Sequence, residues 1–113
     1  PDYRNNTEAK HISRFLSTEL PLADYYKMVQ ATREEGLVTI CTPFDEESVD
    51  VIAKHGIEII KVASCSADDW PLLQKIAKAG KPVIASTGGL LMPQIDSLVS
   101  FLRHRTVDFA VLH

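Results

Sequence analysis

The sequence predicts an α/β protein in which parallel βα units form about half of a (β/α)8 barrel. Short apolar, β-branched runs alternate strictly with segments of helical periodicity along the 113 residues. Every connection between them is short, which favours right-handed βαβ units in one parallel sheet. Four predicted strands and four helices are half of a barrel, since a whole one normally needs about 250 residues.

The helix and strand boundaries follow from local signals. Residues 1–20 are polar and weakly periodic, and they predict an irregular N-terminal arm ahead of a barrel domain over residues 21–113. The helices are expected to start at a first-turn proline or a capping aspartate, namely at Pro21, Asp45, Asp68 or Asp69, and Pro93. Three of them are expected to end at a glycine, namely Gly36, Gly56 and Gly80. The predicted strands cover residues 37–41, 57–63, 82–85 and 107–112.

A doubly wound open sheet is the alternative architecture. No G-x-G-x-x-G motif follows any predicted strand, so a dinucleotide site is not indicated. In a partial barrel, the first and last strands would each lack a partner on one side. We therefore expect a homo-oligomer, in which self-association or a domain swap completes the barrel.

Composition excludes several classes of function. Hydrophobic residues make up 45% and charged residues 24%, as in soluble globular proteins. The net charge is -3 and the 12 Lys and Arg residues are scattered, which argues against a nucleic-acid partner. No apolar run is long enough for a membrane span and no signal-peptide pattern is present, so we predict a cytoplasmic protein without a membrane partner. Cys41 and Cys65 are expected to be reduced.

Polar residues recur where the predicted strands end. Thr42, Ser64 and Ser86 are spaced 22 positions apart, so they occupy equivalent places in successive units. Lys61 lies within an apolar strand, and His113 follows the last one. In both architectures ligands bind beyond the carboxyl ends of the strands. Hydroxyls and a lysine beside the glycine-containing stretch STGG (residues 86–89) are suited to a phosphate group.

Each of these residues also has a simpler interpretation. Lys61 could point outward over a helix or pair with Glu58. Thr42 could cap a turn, and serines are common in βα turns. His113 is the best single candidate for a metal ligand, although a lone histidine is more often structural.

Three segments also resemble the sialic acid synthases, in order and spacing, over about residues 22–113. They read TPFDEESVDVIAKHGIEIIKVAS, PLLQKIAKAGKPVIASTGG and FAVLH. The resemblance implies a (β/α)8 barrel of which this chain is about the middle half. It implies that phosphoenolpyruvate is bound by Thr42, Lys61, Ser64 and Ser86, with Lys61 as the catalytic candidate. It further implies that His113 ligates a divalent metal, Mn²⁺ or Mg²⁺.

The reaction implied by the resemblance joins phosphoenolpyruvate to an N-acyl mannosamine-type amino sugar. The enolpyruvate carbon attacks the open-chain aldehyde, which the metal polarises, and water then adds as phosphate leaves. The family commonly reads K-[IV]-A-S-G-E, whereas this chain has Cys65 and Ser66 in place of the glycine and glutamate. Ser66 is therefore the candidate residue on the sugar side.

Two other functions remain open from the sequence. One is a related barrel aldolase or phosphoenolpyruvate-using synthase. The other is a binding module or truncated barrel without catalysis, which is favoured by the missing glutamate and by the end of the sequence at His113.

Overall fold

The computed structural model describes residues 10–113 and shows four strands and five α-helices over that range. The helices are α1 Lys10–Thr18, α2 Leu22–Glu34, α3 Glu46–Lys54, α4 Trp70–Lys78 and α5 Met92–His104. The strands are β1 Ile40–Cys41, β2 Ile59–Val62, β3 Val83–Ser86 and β4 Phe109–Leu112, with a short 3-10 helix at Ser64–Ser66. In the described part of the chain, no helix combines the length and apolar content of a membrane span.

The four strands form one parallel sheet in the order β1-β2-β3-β4. Each strand pairs with the next one along the chain, so the order never reverses. A doubly wound sheet requires a reversal, with helices on both faces, whereas a (β/α)8 barrel adds its strands in sequence. The strand order therefore confirms the predicted arc of a barrel.

The two faces of the sheet differ sharply in burial at the two central strands, β2 and β3. Alternate residues Ile60, Val62, Val83 and Ala85 are at most 1% exposed and belong to the same core as the helices. The buried helix residues of this core include Val49, Ile52, Leu72, Leu73, Ile76, Leu98 and Leu102. The opposite face, called here the open face, carries Ile40, Ile59, Lys61, Ile84, Ser86, Ala110 and Leu112, none of which is fully buried.

The irregular arm predicted for residues 1–20 is wrong in its second half, because α1 occupies Lys10–Thr18. Residues 1–9 lie outside the described residues. The last turn of α1 is closed by hydroxyls: Ser17 and Thr18 both donate to the Arg14 carbonyl oxygen. Phe15 is 71% exposed, so α1 adds little to the core. Its apolar residues Ile12, Phe15 and Leu16 nevertheless follow helical spacing. The described fold thus has five helices where four were predicted.

Strand β1 is shorter than predicted, because residues 37–39 are not part of the sheet. Thr39 is instead held by Glu58, whose carboxylate accepts hydrogen bonds from the Thr39 backbone N–H (2.7 Å) and from its hydroxyl. These hydrogen bonds lower the pKa of Glu58 below its ordinary value. Leu37 and Val38 remain about 60% exposed, contrary to the predicted buried strand.

Aspartate side chains begin the two central helices, as predicted. Asp45 accepts a hydrogen bond of 2.7 Å from the backbone N–H of Ser48, and Asp69 accepts one of 3.2 Å from that of Leu72. Each bond satisfies one of the amide groups that a helix start leaves without a partner. Hydrogen bonding from Ser48 also lowers the pKa of Asp45.

Helices α2, α3 and α4 are followed by the predicted glycines Gly36, Gly56 and Gly80, each with a positive φ. Gly56, which ends α3, has φ +68°, and the Arg33 guanidinium covers it by donating to the Gly56 carbonyl oxygen. After α5 the corresponding residue is Thr106, with φ +53°. A side chain with a β-carbon is strained in this conformation, and a glycine is not.

We therefore expect Thr106→Gly to raise the free energy of unfolding by about 0.5–1 kcal/mol, because the strain removed exceeds the added entropy of the unfolded chain. Ser97→Gly, in the exposed interior of α5, is the matched control and should lower stability by about 0.5 kcal/mol. Chemical denaturation measures both. A Thr106→Gly variant less stable than the parent would contradict the strain argument.

Candidate functional site

Lys61 lies on the open face of β2, close to the carboxyl end of the strand. Burial alternates along β2, with Ile60 and Val62 fully buried and Lys61 half-buried on the other side. The simpler interpretation requires the Lys61 side chain to lie over the helices. Lys61 instead lies on the opposite face of the sheet. Pairing with Glu58 is also unsupported, because that carboxylate binds Thr39. Within residues 10–113, Lys61 forms no salt bridge, so its ammonium group is available to an anion.

Ser86 ends β3 on the same face as Lys61. Lys61 pairs in register with Ile84, so Ser86 stands two residues further toward the carboxyl end. The chain then turns back, with the Leu90 N–H donating to the Thr87 carbonyl oxygen at 3.1 Å. Gly89 has φ +79°, which explains a glycine there, whereas Gly88 lacks a positive φ. The STGG stretch is thus a tight turn that leaves the Ser86 hydroxyl at the carboxyl end of the sheet.

Thr42 and Ser64 lie at the carboxyl ends of the two preceding strands. Cys41 pairs in register with Ile60. Thr42 follows Cys41 as Lys61 follows Ile60, so Thr42 and Lys61 lie side by side at about the same height along the sheet. Ser64 begins the short 3-10 helix after β2. Both residues are half-buried. The fold therefore brings Thr42, Lys61, Ser64 and Ser86 to the same end of one sheet, on adjacent strands.

A cavity of about 470 Å³ lies beside Thr42, between the start of α2 and α3. Its lining includes Tyr25 and Cys41, and the Tyr25 hydroxyl is 2.6 Å from the Cys41 sulfur. Burial, together with the contact to Cys41, raises the pKa of Tyr25 to about 12. Tyr25 therefore stays protonated near neutral pH.

Residues 65 and 66 differ in accessibility. The Ser66 side chain is buried, with 7% of the residue exposed, whereas Cys65 is exposed. The Cys65 sulfur and the Ser66 hydroxyl oxygen are 3.9 Å apart. Of the two residues, Cys65 is therefore the one that is accessible in the described structure. A role for Ser66 on the sugar side stays a prediction.

His113 follows β4 and contacts the residue after β3. Its Nδ1 is 3.1 Å from the Thr87 hydroxyl oxygen, and Thr87 itself is only 1% exposed. Across residues 10–113 no group of three His, Cys, Asp or Glu side chains is arranged to hold a metal ion. A single imidazole is one ligand where protein metal sites use several. The described residues therefore do not make a metal site by themselves, and a metal at His113 stays a prediction.

Comparison with known proteins identifies the family of this chain. The NeuB family pattern matches residues 2–113, almost the whole sequence. The chain belongs to the NeuB family. A solved structure from Chromobacterium violaceum, assigned as spore coat polysaccharide biosynthesis protein E, superposes with a TM-score of 0.94 at 49% identity. That match covers 98% of this chain and 33% of the other.

Two further relatives of this NeuB-family chain are named as synthases of nine-carbon sugar acids. The N-acetylneuraminic acid synthetase of Leptospira borgpetersenii, solved with citrate, has a TM-score of 0.85 at 25% identity over 98% of this chain and 39% of its own. The N,N'-diacetyllegionaminic acid synthase of Campylobacter jejuni is 33% identical over 74% of this chain and 25% of its own length. These relatives confirm a sialic acid synthase-like family with a TIM-barrel fold.

The NeuB-family chain spans about a third of the length of these relatives. The four strands are accordingly a part of the barrel, and the open face is the face that a barrel turns to its interior. This explains why apolar side chains such as Ile40 and Leu112 are about half exposed here.

Two contacts near the site were not predicted from the sequence. No sequence pattern distinguishes Thr87 from its neighbours, although alternation along β3 places it on the side opposite Ser86. Tyr25 has helical spacing with Leu22 and Val29, which predicts packing in α2 and no polar contact. Neither contact has a local signal, because Thr87 and His113 are 26 residues apart and Tyr25 and Cys41 are 16 apart.

Proposed function

We propose that the complete protein carrying this chain condenses phosphoenolpyruvate with an N-acyl mannosamine-type sugar to give a nonulosonic acid and phosphate. The observation that carries the proposal is the position of Lys61. Lys61 lies on the open face, at the strand ends where Thr42 and Ser86 also lie, and it has no ion-pair partner among residues 10–113. Membership of the NeuB family supports the same reaction class.

The charge of phosphoenolpyruvate suits this group of side chains. Its phosphate and carboxylate are both anionic near neutral pH, and the Lys61 ammonium supplies a compensating positive charge. The hydroxyls of Ser64, Ser86 and Thr42 can each donate one hydrogen bond to an anionic oxygen. Because these donors come from three successive βα units, they can surround an anion rather than meet it from one side.

The proposed reaction forms one carbon–carbon bond and releases one phosphate. The methylene carbon of phosphoenolpyruvate attacks the aldehyde carbon of the open-chain sugar, and the aldehyde oxygen takes up a proton. Water then adds to the former enol carbon, and the phosphate leaves as the new 2-keto acid forms. In this scheme Lys61 and the hydroxyls hold the phosphoenolpyruvate anion in place throughout.

The metal ion, the oligomeric state, the cellular location and the acceptor sugar are also part of the proposal. A divalent ion, Mn²⁺ or Mg²⁺, would need ligands beyond His113, so no step above is assigned to it. A homo-oligomer stays a prediction, as does a cytoplasmic location. The acceptor is proposed only as an amino sugar, since the relatives are named for different acids and Cys65 and Ser66 replace the commonly found glycine and glutamate.

The proposal is tested by supplying the complete purified protein with phosphoenolpyruvate, Mn²⁺ or Mg²⁺, and a panel of N-acyl mannosamine-type sugars. We expect release of inorganic phosphate that requires both substrates, with an equal amount of 2-keto acid formed. Product formation from pyruvate without phosphate release would instead indicate an aldolase. Calorimetric binding of phosphoenolpyruvate without turnover of any sugar would indicate a binding module.

A further inference from the structure

Thr87 is the residue of the STGG turn that the proposed function leaves without a role. It directly follows Ser86 but lies on the other side of the chain, and it is 1% exposed. A threonine hydroxyl buried this deeply must satisfy its hydrogen-bonding capacity within the protein. Its two partners are the Leu112 carbonyl oxygen at 3.0 Å and Nδ1 of His113 at 3.1 Å.

The two contacts fix the direction of both hydrogen bonds. A threonine hydroxyl has one proton to donate, and the Leu112 carbonyl oxygen can only accept. Two oxygens 3.0 Å apart with no proton between them would repel each other, so the hydroxyl proton lies toward Leu112. The hydroxyl oxygen is then an acceptor toward His113, and Nδ1 must carry the hydrogen.

We propose that Thr87 is a positioning residue that fixes the His113 imidazole as its Nδ1–H tautomer and leaves Nε2 unprotonated at the carboxyl end of the sheet. Nε2 is then the ring nitrogen that can accept a proton or bind an electrophile. A part for Nε2 in the reaction rests on the proposed function. The assignment of the tautomer rests only on the contacts of Thr87 with Leu112 and His113.

The backbone makes this arrangement rigid. The Thr87 N–H also donates to the Leu112 carbonyl oxygen, at 2.9 Å, so two bonds from one residue join the ends of β3 and β4. The Thr87 side chain that contacts the imidazole is therefore held at the end of the sheet by its own backbone hydrogen bond. A ligating or proton-accepting histidine commonly has its second ring nitrogen held in this way.

The test is the ¹⁵N chemical shift of the two His113 ring nitrogens in the complete protein, labelled with ¹⁵N-histidine. Spectra are recorded without metal at a pH of about 9, where a histidine ring is ordinarily neutral. We expect Nδ1 to give the shift of a protonated nitrogen and Nε2 that of an unprotonated one. The signals are assigned by their loss in His113→Gln. Protonation at Nε2 in the parent protein would overturn the proposal.

Two variants separate positioning from packing. Thr87→Val keeps the shape of the side chain without the hydroxyl, and we expect the Nδ1 signal to move toward the unprotonated position. Thr87→Ser restores the hydroxyl and should restore the parent shifts. An unchanged tautomer in a folded Thr87→Val variant would overturn the proposal. If that variant does not fold, the proposal is judged on the parent protein alone, by which ring nitrogen carries the hydrogen. His104 is an internal reference, because its Nδ1 is 2.6 Å from the Ser100 carbonyl oxygen and must also be protonated.

This measurement is independent of turnover. If the protein released no phosphate with any sugar, the tautomer would still be observed, and the proposed function alone would fail. If turnover occurred while His113 carried its proton on Nε2, the positioning role of Thr87 alone would fail.

Discussion

Replacing Lys61 with alanine in the complete protein is expected to raise the KM for phosphoenolpyruvate by about 10- to 100-fold, or to abolish turnover. The ammonium group lies on the open face with no ion pair among the described residues, so in the proposed site its loss would remove a positive partner of phosphoenolpyruvate. A hydrogen bond to a charged group contributes about 1.5–3 kcal/mol, and each 1.4 kcal/mol is about a factor of ten. Steady-state kinetics with phosphoenolpyruvate as the varied substrate measure the effect.

Lys75 provides the matched control for Lys61. It lies on α4, and its ammonium group is 2.7 Å from the Asp50 carboxylate on α3, away from the open face. Lys75→Ala removes the same charge and the same side chain, and the KM should stay within about twofold of the parent value, since exposed ion pairs contribute little. Unchanged phosphoenolpyruvate kinetics in Lys61→Ala would remove Lys61 from the proposed site.

Leu98→Ala is expected to lower the free energy of unfolding by about 2–5 kcal/mol. Leu98 is 0% exposed and belongs to the core between α5 and the sheet, so truncation removes buried apolar contacts and leaves a cavity. Thermal and denaturant unfolding of the complete protein measure the loss. Helix α5 begins shortly after the STGG turn. A weaker affinity for phosphoenolpyruvate in Leu98→Ala would therefore indicate that the conformation of the turn depends on the packing of this helix.

Met92→Ala in the same helix is the control for the loss of Leu98. Met92 is 67% exposed, and its truncation should change the free energy of unfolding by less than about 0.5 kcal/mol. Equal losses in the two variants would mean that burial does not distinguish these positions, and that the core assigned to α5 is incorrect.

Much of the fold was predictable because its signals are local. Asp45 begins its helix with a capping hydrogen bond, and Gly56 ends it with a positive φ, and both could be recognised in the sequence. The parallel order followed from the strict alternation of helices and strands. Helix α1 was missed although Ile12, Phe15 and Leu16 follow helical spacing, because these three are the apolar residues of a nine-residue segment that is otherwise polar.

The candidate site was predictable in its positions and less so in its contacts. The 22-residue spacing indicated that Thr42, Ser64 and Ser86 are equivalent, and the sheet places all three at one end. The role of Thr87 could not be predicted, because it depends on which face a residue takes after the strand ends and on a partner on the next strand. The burial of Ser66 likewise results from the 3-10 helix, which has no distinctive sequence signal.

The sequential strand order also bears on how the protein is made. Since each strand pairs with the one synthesised just before it, a βα unit can join the growing sheet as soon as it leaves the ribosome, with little chain to close into a loop. The helix-covered side can be protected at each stage. The open face cannot, because its apolar side chains are covered only when the ring of strands closes. The nascent protein should therefore be most prone to aggregation late in synthesis, when this face is largest and still uncovered.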